Sequence, residues 1–196
     1  MSDQVQKALE REGRHYQSEV EAELFELLDP ALSMLLDHPV AARLTYQWGG
    51  GGPIVDLKPA PADLPRMIGA GGAMFESFRA VLARYGDLRG LRVRYRLQSQ
   101  RPATPARPTQ FQPNPAWPAD RVDKMVSLHC AAMFQYPLVT RRVDDRVQPK
   151  SNYFVAVAKD EPEWPEDLHM ALSTIWHAAA YRFGRRVYLE AIRRAS

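Results

Sequence analysis

Apolar residues near the start of the chain recur at three- and four-residue steps: Val5, Leu9, Tyr16, Val20, Leu24, Phe25, Leu27 and Leu28. That period places them along one face of a helix. Pro30 is expected to interrupt the helix, because proline has no backbone N–H and biases Asp29 away from helical geometry. Leu32 to Leu36 then resumes the pattern until His38-Pro39 closes it. The spacing next turns to alternation: Val40 to Trp48 and Pro53 to Lys58 read as two strands joined at Gly49 to Gly52, a β-hairpin. A run of glycines can also cradle a phosphate, but no helix follows this one and no Lys-Ser/Thr pair closes it, so it is read as a turn.

Beyond Pro59 and Pro61, Asp63 is placed to cap a one-turn helix over Leu64 to Ile68, its carboxylate accepting from a free backbone N–H. Gly69-Ala70-Gly71-Gly72 follows directly. A second helix points Met74, Phe75, Phe78, Val81, Leu82 and Tyr85 inward and Glu76, Arg79, Ala83 and Arg84 outward, and Gly86 ends it. Leu91, Val93, Tyr95 and Leu97 then alternate with Arg92, Arg94 and Arg96, the signature of a half-buried strand.

Residues 99–118 break this composition. Pro102, Pro105, Pro108, Pro113, Pro115 and Pro118 stand among few apolar side chains, as in an extended linker. The remainder repeats the earlier order with its central loop removed. A helix is expected from Asp120 to Gln135, ending at Tyr136-Pro137 much as the earlier helix ends at His38-Pro39. Strands are expected over Leu138 to Val143 and Tyr153 to Ala158, a helix over Glu166 to Phe183, and a last strand over Arg186 to Ile192. No Gly-x-x-Gly occurs in this half.

Helix, strand, strand, helix, glycine loop, helix, strand resembles the type II KH fold of bacterial nucleic-acid-binding proteins. The resemblance is to small single-KH proteins and spans roughly Leu24 to Leu97. It rests on Leu36-Asp37-His38-Pro39, the strand ending at Leu57-Lys58, the Pro61 to Leu64 turn and Met67-Ile68-Gly69-Ala70-Gly71-Gly72. It implies an α+β protein of tandem type II KH-like domains. These are a helical extension over 1–23, a KH domain with its glycine loop over 24–98, the Pro-rich linker over 99–118, and a degenerate KH-like domain over 119–196. The run Ala178 to Val187 resembles a KH helix-to-strand junction, and the layout resembles the tandem KH arrangement of Nus-type transcription factors without their other domains.

A KH loop clamps the sugar-phosphate backbone of a single strand. The resemblance therefore implies a non-catalytic single-stranded RNA-binding protein, a regulator of RNA or transcription, that needs no cofactor. Ile68, Gly69, Ala70, Gly71 and Gly72 are its expected clamp, with Arg66, Lys58 and Arg79 as basic neighbours on the same segment. Many KH loops carry basic residues at the centre, where this chain has Ala70 and Gly71, which weakens the expected phosphate contacts. The alternatives are an adaptor that binds a partner protein through KH scaffolds and, third, single-stranded DNA binding, since phosphates do not distinguish the sugar.

Charge qualifies this picture. The net charge is +3, yet residues 21–97 carry 9 basic and 9 acidic groups, so affinity for nucleic acid needs its cations gathered on one side. Arg84, Arg89, Arg92, Arg94 and Arg96 crowd the end of the segment, while Glu21, Glu23, Glu26 and Asp29 crowd its start. The three strand arginines serve equally as charge that protects an exposed edge.

Catalytic signals are sparse. His15, His38, His129, His169 and His177 lack metal-ligand spacing, no serine sits in a nucleophile elbow, and His129 and Cys130 point apart on a helix. Asp144, Asp145, Glu161, Glu163, Glu166 and Asp167 read as solvated charge. One cysteine forms no internal disulfide and reads as a buried apolar residue. No apolar run approaches the ~20 residues of a membrane span, and the Met1-Ser2-Asp3-Gln4 start lacks the basic and apolar stretches of a secretory signal, so a cytoplasmic protein is expected. Trp117 and Trp164 are expected to staple helix starts, and Trp48 sits where it could stack on a base.

Overall fold

The computed structural model describes residues 3–98, 119–133, 151–158, 166–183 and 186–193. The expected linker over 99–118, the strand over Leu138 to Val143, Asp144-Asp145, Trp117 and Trp164 lie outside them. The chain is α+β. Its elements run α1 (Asp3–Leu35), β1 (Arg43–Gly49), β2 (Gly52–Lys58), α2 (Leu64–Ile68), α3 (Ala73–Leu88), β3 (Arg94–Leu97), α4 (Ala119–Met133), β4 (Ser151–Ala158), α5 (Glu166–Tyr181) and β5 (Arg186–Arg193).

Pro30 does not interrupt α1. The helix runs through it, with Pro30 itself buried. Proline removes a single N–H, the one that would bond Glu26, and burial of Leu24, Leu27, Leu28, Ala31 and Leu35 on the same face outweighs that loss. The Ser33 hydroxyl donates to the Pro30 carbonyl at 2.9 Å, a local bond within the same helix. Pro39–Ala41 forms one tight 3₁₀ turn, so β1 starts at Arg43 rather than at Val40.

The hairpin register pairs Leu44 with Leu57, Tyr46 with Val55 and Trp48 with Pro53, which turns these residues toward the helices. Arg43, Thr45 and Gln47 of β1 consequently face outward and are exposed. β3 joins β2 in parallel, Val55 opposite Tyr95 and Asp56 opposite Arg96, giving the strand order β1-β2-β3. The parallel pairing requires a crossover, which α2 and α3 supply. The indole N–H of Trp48 donates to Glu21 Oε1 at 2.7 Å, and its ring lies 6.4 Å from that of Tyr16. Trp48 therefore fastens the hairpin to α1.

The helices of the two halves share one core. α4 packs on α1 and α5 on α3, with α1 also meeting α5 and α3 also meeting α4. Exchanging α1 with α4 and α3 with α5 leaves this set of contacts unchanged. β4 and β5 pair in parallel, as β2 and β3 do. His129, fully buried on α4, lies between the other helices: its Nδ1 accepts from the Trp176 indole at 2.9 Å, which leaves Nε2–H to donate to the Leu27 carbonyl, also at 2.9 Å. Burial is the main reason its pKa falls to about 4, only partly offset by the Leu27 bond, so the ring is neutral. Cys130 is buried beside it, and burial raises its thiol to about 12. It is packing, not a reactive group.

Candidate nucleic-acid interface

Gly69 to Gly72 link α2 to α3 in a conformation that depends on glycine. At Gly69 φ is +75° and ψ is 175°, and a Cβ there would lie 2.8 Å from both the backbone nitrogen and the Cβ of Met74. Gly71 and Gly72 are left-handed, with φ of +59° and +84°, but a Cβ on either would meet nothing within 4 Å. Gly69 thus closes the turn against α3, while Gly71 and Gly72 border open space. Ala70 and Gly71 are exposed, Ile68 is 42% exposed, and Met67 between them and the core is fully buried. α3 begins at Ala73, so its free N–H groups and the positive end of its dipole lie at the loop.

Asp63 holds this turn in place by a route unlike the expected cap. Its side chain caps no backbone N–H of α2. Instead its fully buried carboxylate accepts from the backbone N–H of Asp37 at 2.8 Å and of His38 at 2.9 Å, where α1 has ended. Arg66, one of the expected phosphate contacts, belongs to the same knot: it lies 2.9 Å from Asp37, 3.5 Å from Asp63, and 3.1 Å from the Leu35 carbonyl, to which it donates. Arg182 of the second half joins it, donating to the Met34 and Leu36 carbonyls and pairing with Asp37. Arg66 therefore secures α2 from behind and is not free to meet a ligand.

A cleft of about 450 Å³ opens at the free edge of β3. Arg79, Ala83 and Asp87 of α3 line one side, and Arg92, Arg94 and Arg96 line the other. Arg79 is exposed and pairs with Glu76 at 2.9 Å; it lies six residues into α3, roughly 9 Å along the axis from the loop. Arg96 donates from Nε and Nη2 to both oxygens of Asp56, at 2.8 and 2.7 Å, and also to Gln47. This fork covers a carboxylate only 1% exposed. Lys58, the remaining expected contact, ends β2 opposite Arg43 and is half-buried, two residues beyond Asp56 on the same face.

The structure thus gathers Arg79 with three strand arginines outside the expected site set. Their alternation with apolar residues was legible, but the meeting of β3 with α3 depends on the parallel crossover. Among the described residues no cluster of His, Cys, Asp or Glu could hold a metal ion, and no helix is long and apolar enough to cross a membrane. No protein-family model, curated protein or solved structure matches the chain.

Proposed function

We propose that this protein binds single-stranded RNA without catalysing a reaction, clamping the backbone at Gly69 to Gly72. The observation that carries this reading is a solvent-open glycine turn at the start of α3, on the same helix as a cleft lined by four arginines. Gly71 and Gly72 let a phosphate approach the backbone without meeting a side chain, and the first N–H groups of α3 offer it donors. Single-stranded bases then lie toward the cleft, where guanidinium planes can stack on them. The order helix, strand, strand, helix, glycine loop, helix, strand over 24–98 is the one expected of a type II KH domain. The tandem arrangement belongs to the same reading, with 119–196 as a second KH-like unit that has lost its loop.

Arg66, Arg79 and Arg96 are engaged by carboxylates, so most phosphate attraction falls to Lys58, Arg92 and Arg94. Modest affinity with a clear salt dependence is the expected behaviour. Filter binding of short single-stranded RNA pools at low and moderate salt tests it. The wild type should retain RNA, and Ala70→Asp with Gly71→Asp should lose at least about tenfold through repulsion of phosphate. Aspartate tolerates the left-handed geometry at position 71 better than most residues, so the fold should survive. Equal retention by a folded double variant rules the clamp out, and a nuclease-resistant pull-down of a protein favours the adaptor role instead.

A further inference from the structure

We propose that the outer face of the three-stranded sheet is a second phosphate-binding surface, one that carries the same nucleic-acid strand onward from the glycine loop. The inference rests on the clamp reading and extends its footprint. The register places Arg43 on β1, Lys58 on β2, and Arg94 and Arg96 on β3 along one face, and Arg92 follows the same alternation one step earlier. Among the described residues of these strands only Asp56 opposes them in charge on that face, and it is buried beneath Arg96. Among the described residues no carboxylate pairs with Arg43, Lys58, Arg92 or Arg94, whereas Arg66, Arg79, Arg89 and Arg182 elsewhere are each matched to an acid. Charge left unneutralised on one flat face attracts a polyanion.

Continuity with the glycine loop favours a nucleic-acid strand over an acidic protein. The cleft is shared, since Arg92, Arg94 and Arg96 line it together with Arg79 and Ala83 of α3. A strand leaving the loop along α3 can therefore pass the free edge of β3 without leaving a basic surface, with Glu76 and Asp87 the acidic groups on that route. Arg94 reaches across the sheet into space left by Gly49, extending the basic surface toward β1.

The test is equilibrium binding of labelled oligouridylates of about 4 and about 16 nucleotides to the whole chain over a range of salt. In Arg43→Gln/Arg92→Gln/Arg94→Gln the longer strand should bind about tenfold more weakly, and its salt slope should fall by about 2, near 0.7 per lost contact. The short strand, which reaches the cleft but not Arg43, should weaken less than the longer one in the triple variant and should keep its wild-type affinity in Arg43→Gln alone. Should the triple variant not fold, Arg43→Gln and Arg94→Gln singly should each lower the slope by about 0.7. Unchanged binding of the longer strand overturns the surface and leaves the clamp standing. Loss in the arginine variants without loss in Ala70→Asp/Gly71→Asp keeps the surface and removes the clamp. Preference of the wild type for polyglutamate over the longer oligouridylate overturns the assignment in favour of an acidic protein.

Discussion

Gly69 and Gly71 share a loop but are fixed by different demands. A side chain at Gly69 must displace the start of α3 as well as adopt an unfavourable φ, whereas one at Gly71 meets only the backbone preference. Gly69→Ala is therefore expected to lower stability by about 2 to 3 kcal/mol and Gly71→Ala by about 1 kcal/mol, read as urea midpoints at unchanged m-value. Equal losses would show that Met74 yields to the added methyl. The sequence showed that glycines stand here but not that one faces packing and the other solvent, because that distinction depends on where α3 starts. It also identified Cys130 as inert core, since a small apolar residue on a helical stripe needs no partner to be recognised.

Elements that follow a strict period were the most legible. α1, α3, the hairpin and β3 lie close to where apolar spacing puts them, because burial of one face is a local property of sequence. Departures arise where an element answers to a distant one. Asp63 stands immediately before α2, yet its carboxylate binds the chain just past the end of α1, 25 and 26 positions away, and no local pattern encodes that bond. Asp63→Ala should cost about 2 to 4 kcal/mol, because it leaves two part-buried backbone donors without their acceptor and removes one of the carboxylates beside Arg66. Asp63→Asn, which keeps an acceptor, should cost less; equal losses in chemical unfolding would mean that charge rather than hydrogen bonding matters. Pro30 shows the converse, a local signal against helix overridden by the buried stripe around it.

At the scale of the molecule, the halves are joined through apolar helix faces and a neutral histidine. His129 titrates near 4 when folded and near 6.5 when unfolded, so below about pH 6.5 the unfolded chain binds the extra proton. Its contribution is complete above that pH and falls away as the pH drops toward 4, by on the order of 3 kcal/mol in all. Urea midpoints at about pH 7 and about pH 5 should differ in the wild type and converge in His129→Leu, which is less stable at neutral pH because the Trp176 indole loses its acceptor. A wild-type midpoint that does not move would show that the folded ring titrates where the unfolded one does. The repeated order of elements hinted at two similar halves, but the closeness of their packing was hidden, since helix faces do not name their partners. Asp37 gives that closeness a purpose. It meets Arg66 of the loop-bearing half and Arg182 of the loopless one, so the second half braces α2 from behind. If the turn is the clamp we propose, one stiffened in this way has less freedom to lose when it closes on a ligand, and the second half thereby sets the entropy of the first half's grip.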